Sequence, residues 1–247
     1  MIKLDHLTKH FGRIAAVDDL SLEVRGGEIM AFLGPNGAGK TTTLRMIGGL
    51  LEPTGGRIEV KGHDLARSPI EVKRIMGFIP DRPYLYEKLT AREFLVFSGG
   101  LYGVPPDRAS SRGKELLHLF GLTDWSDELI ESFSHGMKQR LVMASALLHE
   151  PEVLVIDEPM VGLDPRGTRM LKNLFRGLRD RGVTILLSTH TLSVAEEICD
   201  RVAIIHKGRL VSVGTVEDLR VLSHKHEAGF EEVFLALTSE GEEGTAD

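Results

Sequence analysis

Short apolar runs alternate with segments of helical periodicity along most of the chain. Nine of these runs have the length and the β-branched content of strands, and they span residues 2–7, 20–24, 29–33, 57–60, 77–79, 153–156, 183–187, 202–205 and 210–213. The runs at 153–156 and 183–187 are almost continuously apolar, which is typical of strands buried on both faces. The alternation predicts an α/β fold in which helices cover a mostly parallel sheet.

Residues 90–149 interrupt this alternation because they contain helical patterns only. Thr90 and Glu93 have the spacing of a capping box at a helix start. A second helix is predicted over residues 107–120, with Gly121 as its left-handed stop. These helices indicate an insertion into the α/β core. The predicted divisions are a first core segment (1–89), a helical subdomain (90–149), a second core segment (150–225) and a C-terminal segment (226–247).

The C-terminal segment begins with an amphipathic pattern. Phe230, Val233, Phe234 and Leu237 follow the spacing of one helix face. This helix packs either on the body of the chain or on a partner, and the first is the more common arrangement. Residues 240–247 contain no large apolar side chain, and we expect them to be disordered.

Composition and charge exclude several classes. Of 247 residues, 42% are hydrophobic and 27% are charged, which excludes a disordered, collagen-like or coiled-coil chain. The net charge of -6 is carried by the C-terminus, because seven of the 36 acidic residues follow residue 225 and no Lys or Arg does. The rest of the chain has 29 acidic residues against 30 basic ones. The rest of the chain thus lacks the excess of basic residues that is typical of nucleic-acid-binding proteins, and we expect no nucleic-acid partner.

The chain has one cysteine, Cys199, so an intrachain disulfide and a cysteine metal cluster are both excluded, and a reducing compartment is the simpler context. The first ten residues mix charged and apolar side chains and do not resemble a secretory signal. No apolar run approaches the roughly 18 to 20 residues of a membrane-spanning helix. Any membrane role therefore requires a partner.

The strongest chemical motif follows the apolar run at 29–33 and precedes a helical run. It matches Gly-x4-Gly-Lys-[Ser/Thr] and comprises Gly34, Pro35, Asn36, Gly37, Ala38, Gly39, Lys40 and Thr41, with Thr42 next. Such a loop turns backbone amides towards phosphates, and its lysine reaches the terminal phosphates. The motif predicts nucleotide binding; the alternative is a glycine-rich structural turn.

Two later apolar runs end in polar side chains. Asp157 and Glu158 follow the run at 153–156, and His190 follows the run at 183–187. Because ligands gather at the carboxyl ends of parallel strands, Asp157 is a candidate for the shell of Mg²⁺ and Glu158 for proton acceptance from water. The alternatives are that both carboxylates cap the next turn and that His190 is structural.

Five motifs in order resemble those of the ATP-binding cassette (ABC) ATPases, over residues 1–225. They are residues 34–42, 134–136, 153–158 and 162–165, and His190. The resemblance implies a P-loop NTPase cassette with a mostly parallel core, an antiparallel N-terminal β part and an inserted helical subdomain. It also implies that two cassettes face head to tail, with each ATP between the phosphate loop of one and the signature motif of the other.

The resemblance gives the candidate residues their roles. Residues 34–42 bind ATP from one side, and Ser134, His135 and Gly136 bind it from the other. Phe11 stacks on adenine, unless it is an ordinary core aromatic. Thr41 and Asp157 bind the metal ion. Lys40, Glu158 and His190 are catalytic, with Glu158 as the base and His190 as the switch histidine. Asp164 lies at the dimer seam and couples the two sites.

Two positions depart from the family pattern. The signature is usually Leu-Ser-Gly-Gly-Gln, and His135 stands at its first glycine. We expect the backbone there to keep the anion-binding turn, with the ring pointing outward. Asp81 stands where the family usually has a glutamine that contacts Mg²⁺ and water. Asp81 either ligates Mg²⁺ through oxygen or turns into solvent.

The resemblance further implies the ATPase subunit of a bacterial transporter with a separate permease, on the exporter branch. The subunit is then cytoplasmic and peripheral on the inner face of the membrane, and it pairs with a second cassette as a homodimer or a heterodimer. Five apolar residues are candidates for holding a permease helix, unless they serve subdomain packing: Tyr84, Leu85, Tyr86, Leu89 and Phe94. Two alternatives remain, a soluble ABC ATPase acting on a protein or DNA assembly and a non-hydrolysing scaffold.

Overall fold

The structure is a computed structural model that describes residues 1–82, 84–223 and 229–243, and only the backbone of 239–243. This part of the chain contains ten strands in two sheets. The strands are β1 (Ile2–Phe11), β2 (Ile14–Val24), β3 (Ile29–Leu33), β4 (Gly55–Val60), β5 (His63–Asp64), β6 (Met76–Ile79), β7 (Val153–Asp157), β8 (Thr184–Thr189), β9 (Arg201–His206) and β10 (Arg209–Gly214).

Nine α-helices lie in the same part of the chain. They are α1 (Lys40–Ile47), α2 (Pro69–Ile75), α3 (Ala91–Leu101), α4 (Pro106–Leu119), α5 (His135–Leu147), α6 (Pro165–Asp180), α7 (Leu192–Ile198), α8 (Val216–Leu222) and α9 (Phe230–Glu243). Two 3₁₀ turns, Thr123–Trp125 and Ile130–Ser132, lie between α4 and α5.

The larger sheet has the strand order β10-β9-β3-β8-β7-β6, and all its pairs are parallel except β9 with β10. The smaller sheet is antiparallel, with the order β2-β1-β4-β5. This confirms the predicted α/β fold with a mostly parallel core and an antiparallel N-terminal part. In the larger sheet the carboxyl ends of β3, β7 and β8 lie side by side, with Leu33 opposite Thr189 and Asp157 opposite Ser188.

The central strands are buried on both faces. Alternate residues of β3 contribute to two apolar clusters, with Ile29, Ala31 and Leu33 in one and Met30 and Phe32 in the other. This arrangement agrees with the predicted burial of the continuously apolar runs. It also fixes the carboxyl ends of the strands, because a shift by one residue would exchange the two faces.

Helices α3, α4 and α5 pack on one another and share one apolar cluster. Thr90 and Glu93 form both hydrogen bonds of the predicted capping box, and Gly121 has a φ of +64° just after α4. Helix α5 begins at His135, because the Ser134 hydroxyl accepts the amide of Met137 and caps the helix. His135 therefore lies in the first turn of a helix.

Helix α9 packs on the body of the chain. Phe230, Val233 and Leu237 are buried, and the helix contacts α7, α8, β9 and β10. The expectation of disorder is wrong for residues 240–243, which continue the helix. Extending a formed helix fixes one residue for each hydrogen bond gained, so the turn persists beyond the apolar stripe. Residues 244–247 lie outside the described part of the chain.

Candidate functional site

The loop between β3 and α1 is shaped by glycines. Gly39 caps α1 with a φ of +106°, and a Cβ there would lie 2.5 Å from the Ala16 carbonyl oxygen. A Cβ on Gly34 would lie 2.3 Å from the Ile205 carbonyl oxygen. Only glycine fits either position without displacing backbone. The loop therefore ends at a helix N-terminus, where unpaired amides and the helix dipole favour an anion.

Lys40 is the first residue of α1 and is buried. Its Nζ donates to the carbonyl oxygens of Gly34, at 2.6 Å, and Pro35, at 3.1 Å. Burial lowers the pKa of Lys40, and the carboxylates of Glu158 and Asp157 partly oppose that effect. The ammonium is thus held within the loop, in the electrostatic field of both strand-end acids.

The acids at the end of β7 are in different environments. Asp157 is only 2% exposed and accepts a hydrogen bond from the Ser188 hydroxyl on β8. Glu158 has a φ of +50°, and its amide lies 3.2 Å from both the carbonyl and hydroxyl oxygens of Ser188. Its Oε1 lies 3.0 Å from Nδ1 of His190. Asp157 therefore points into the protein, while Glu158 and His190 meet at its surface.

The other residues predicted to bind ATP or Mg²⁺ from the phosphate-loop side lie near these strand ends or at the end of the smaller sheet. Thr41 is half-buried in the first turn of α1. Asp81 follows β6, and its Oδ1 lies 3.9 Å from Nη2 of Arg45, one helical turn beyond Thr41. Phe11 ends β1 and is 49% exposed, with Nζ of Lys9 lying 5.3 Å from its ring centre. Phe11 is therefore not a core aromatic.

The signature residues line a second place, an open cleft of about 700 Å³ between the start of α5 and the start of α6. Ser134, Gly136 and Asp164 lie along it. The Asp164 carboxylate caps α6 by accepting the Gly167 amide at 2.7 Å. His135 is exposed as expected, but its ring also lies against Gly162, beyond what the sequence predicted. Among the described residues lining this cleft, none belongs to the phosphate loop.

Sequence reasoning missed some residues of the site. Ser188 supports the Asp157 side chain and the Glu158 backbone, and its place two residues before His190 on a buried strand was the available signal. Arg140 donates to the carbonyl oxygens of Gly136 and Phe120 and thereby joins the start of α5 to the end of α4. No pattern in the sequence distinguishes Arg140 from other helix-surface arginines.

The candidate permease-facing residues separate into two groups. Phe94 is only 6% exposed, and Leu85 and Leu89 pack against the same apolar cluster, so ordinary packing accounts for these three. Tyr84 and Tyr86 are exposed. Tyr86 meets Phe97 of α3 edge to face, with 5.2 Å between ring centres, and Leu101 of α3 is also exposed. The exposed apolar surface therefore comprises Tyr84, Tyr86, Phe97 and Leu101.

Comparison with known proteins identifies the family. The ABC transporter family matches residues 17–161. The bacitracin transport ATP-binding protein BcrA of Bacillus licheniformis is 42% identical over 227 residues, covering 92% of this chain and 73% of BcrA. The linearmycin resistance ATP-binding protein LnrL of Bacillus subtilis (strain 168) is 37% identical over 219 residues, covering 89% and 70%.

Solved structures agree. The structure of an ATP-binding subunit of an ABC transporter superposes with a TM-score of 0.91 at 36% identity, covering 96% of this chain and 99% of that one. A dimeric, post-hydrolysis ATP-binding cassette with bound ADP and Pi gives a TM-score of 0.77 at 26% identity, covering 87% and 98%.

A phosphate loop on a parallel sheet, with acids at the neighbouring strand ends, defines a P-loop ATPase. The chain belongs to the ABC transporter family, as an ATP-binding subunit that hydrolyses ATP. In the described part of the chain, no helix is both long enough and apolar enough to cross a membrane.

Proposed function

We propose that this subunit hydrolyses MgATP in a head-to-tail pair of cassettes and drives a separate membrane permease in export. The observation that carries the catalytic part is the contact of Glu158 with His190 beside the buried pair of Asp157 and Ser188. One edge of the sheet thus places a half-buried carboxylate, Glu158, and a buried one, Asp157, next to a phosphate loop.

Residues 34–42 hold the ATP phosphates through backbone amides, and Phe11 stacks on the adenine. Lys40 exchanges its two carbonyl partners for the terminal phosphates, which compensate its buried charge better than neutral oxygens do. Phe11 is exposed, so its ring is available to a ligand that binds at the surface.

The residues present also fit Mg²⁺. Asp157 is a buried carboxylate, and the described residues give it a hydroxyl partner but no ion pair. A buried charge of this kind calls for a cation. Thr41, Asp157 and Asp81 would supply oxygen ligands, which Mg²⁺ prefers. When bound, the ion would neutralise charge on the β- and γ-phosphates.

For the chemical step, Glu158 accepts a proton from a water whose oxygen attacks the γ-phosphorus. The bond from that phosphorus to the β–γ bridging oxygen breaks, and ADP and phosphate leave. Nδ1 of His190 orients the Glu158 carboxylate and leaves Nε2 for the γ-phosphate. Lys40 stabilises the charge that develops on the transferred group.

The signature cleft is the other half of a composite site. Ser134, His135 and Gly136 lie at the start of α5, where unpaired amide groups favour an anion, and they lie in a different place from the phosphate loop of the same chain. They therefore act on the ATP of a second cassette. Asp164, at the start of α6 in the same cleft, lies at the seam between the two cassettes.

An exposed apolar surface supports the permease partner, and the names of the relatives support the direction of transport. The exposed apolar surface of Tyr84, Tyr86, Phe97 and Leu101 suits a short permease helix. The relatives named for bacitracin transport and linearmycin resistance favour export of an antibiotic-like compound. The subunit is then cytoplasmic and peripheral on the inner face of the membrane.

Replacing Glu158 tests the proposal. Glu158→Gln keeps the shape but removes the base, so the ATPase rate falls by about 10²- to 10⁴-fold, and ATP traps a dimer in size-exclusion chromatography. Glu71→Gln, an exposed acid on α2, is the matched control and keeps the parent rate. An unchanged rate in Glu158→Gln contradicts the assigned base. Failure of a membrane protein to co-purify from detergent-solubilised membranes contradicts the permease.

A further inference from the structure

Lys9 lies against the aromatic ring that we assign to the adenine. Its Nζ lies over the Phe11 ring, 5.3 Å from the ring centre. The two residues are two positions apart on β1, so their side chains leave the strand on the same side. Phe11 is still 49% exposed, so part of its surface remains free for a base. Lys9 thus makes a cation–π contact with Phe11 and leaves room for a second stacking partner.

The Lys9 ammonium is also held by backbone. Its Nζ donates to the carbonyl oxygen of Glu52 at 2.6 Å. The segment that contains Glu52 is itself fixed to β1, because the Thr54 amide donates to the Thr8 carbonyl oxygen at 2.8 Å and the His10 amide donates to the Thr54 hydroxyl at 3.0 Å. A carbonyl oxygen anchored in this way restricts the ammonium to a small region. The position of the charge is therefore set before a nucleotide binds.

The hairpin of β1 and β2 lies beside the phosphate loop. A Cβ on Gly39 would lie 2.5 Å from the Ala16 carbonyl oxygen, so β2 packs against the last glycine of that loop. The register of the hairpin shifts beside Ala16, between Lys9 and His10 of the paired strand. The strand end that carries Phe11 is thus held near the place where the phosphates are proposed to bind.

This inference rests on the proposed function, in which Phe11 stacks on the adenine. We infer that Lys9 is a positioning residue for that stack, because its ammonium holds the Phe11 ring in place before the nucleotide binds. A side chain that becomes immobilised on binding costs affinity, and a ring that is already held avoids part of that cost. The contact is with the ring, so its effect belongs to nucleotide binding and not to the chemical step.

ADP binding to the parent and to Lys9→Met tests the contact. Methionine keeps an apolar side chain of similar length without the charge, so the dissociation constant of ADP in isothermal titration calorimetry rises about two- to fivefold. Lys9→Arg keeps a cation that stacks on aromatic rings and retains the parent value. Lys3→Met, at an exposed lysine of the same strand, is the matched control and also retains it. An unchanged constant in Lys9→Met, or equal weakening in Lys9→Arg, overturns the inference.

A double-mutant cycle distinguishes action through the ring from direct attraction of the phosphates by the charge. Phe11→Ala weakens ADP binding by itself. In that background Lys9→Met causes no further change, because no ring is left to hold. If Lys9→Met gives the same fold-change with and without the Phe11 ring, the ammonium acts on the phosphates directly and the positioning role is overturned.

The ATPase rate provides a second readout. Lys9→Met raises the ATP concentration for half-maximal activity by a similar factor and leaves the maximal rate at the parent value, as expected for loss of ground-state binding. A lowered maximal rate with an unchanged half-maximal concentration contradicts the inference.

The same variants separate this inference from the proposed function. If Phe11→Ala leaves ADP binding unchanged, the adenine stack itself is wrong, and the role of Lys9 is overturned with it. If Phe11→Ala weakens ADP binding but Lys9→Met does not, the stack stands and only the positioning role of Lys9 is overturned.

Discussion

Asp81 shows how one substitution changes the electrostatics of a site. A glutamine at this position adds no charge, whereas a carboxylate adds a negative charge. Arg45 lies 3.9 Å away, with both side chains partly exposed, so the pair offsets that charge but is worth at most about 1 kcal/mol. An interaction this weak leaves Asp81 available to a metal ion on the Thr41 side of α1.

Asp81→Asn tests the role of Asp81 as a ligand. The amide keeps one oxygen but loses the charge, so the Mg²⁺ concentration for half-maximal ATPase activity rises by about tenfold, or about 1.4 kcal/mol. Asp107→Asn, at an exposed acid of α4, serves as the control and leaves that concentration unchanged. An equal Mg²⁺ requirement in the parent and in Asp81→Asn contradicts ligation.

At the residue scale, the sequence predicted side chains whose role depends on neighbours along the chain. The phosphate loop, Asp157 and Glu158 each follow an apolar run, and strand register brings them to one edge. Contacts between distant positions were not predictable in the same way. The Arg45 partner of Asp81 and the Gly162 partner of His135 depend on how loops settle on helices, which no local pattern encodes.

At the scale of elements, the capping box of α3 has a measurable consequence. Thr90→Ala removes the hydroxyl that accepts the Glu93 amide at 3.2 Å, so the free energy of unfolding falls by about 1 kcal/mol in urea denaturation. Thr191→Ala is the matched control, because Thr191 precedes α7 without a side-chain cap. A similar loss in both variants contradicts a specific cap.

The same cap makes the free energy of unfolding depend on pH. Hydrogen bonds from the Thr90 backbone and side chain lower the pKa of Glu93 below its ordinary value of 4.5. The stabilisation is therefore present above the unfolded-state pKa and is lost as the pH falls through the lower folded-state pKa. The stability difference between the parent and Thr90→Ala should narrow in acid, as measured by urea denaturation at pH 7 and at pH 3.

Elements held by apolar burial were predictable, and elements held by pairing or charge were less so. All nine predicted strands exist, but β1 also covers residues 8–11 and β2 also covers residues 14–19, where cross-strand pairing sustains positions that, apart from Val17, are exposed or half-buried. Helix α6 was not predicted, although it begins at the Asp164 cap. Its buried face consists of Leu171, Phe175 and Leu178, and its other face is wide, polar and rich in arginine. The narrow apolar face is therefore hard to recognise in the sequence.

At the scale of the whole molecule, the fold places its chemistry and its proposed partner surface on different segments. Asp157 ends a strand of the sheet and Glu158 follows it, whereas the exposed apolar surface spans the loop after Asp81 and α3. Leu85 and Leu89 anchor that loop, because both pack against the apolar cluster that the inserted helices share.

The partner surface can be tested by placing a charge on it. Leu101 is 72% exposed on α3, so Leu101→Glu leaves the core intact but introduces a carboxylate where a permease helix would bury apolar area. We expect the variant to retain the parent melting temperature and to lose the membrane protein that co-purifies with the tagged parent. Leu222→Glu on α8 places the same charge on another exposed apolar residue, away from α3, and retains that protein. Equal recovery of the membrane protein with Leu101→Glu and with the parent contradicts docking at α3, because a buried, unpaired carboxylate weakens any interface that covers it.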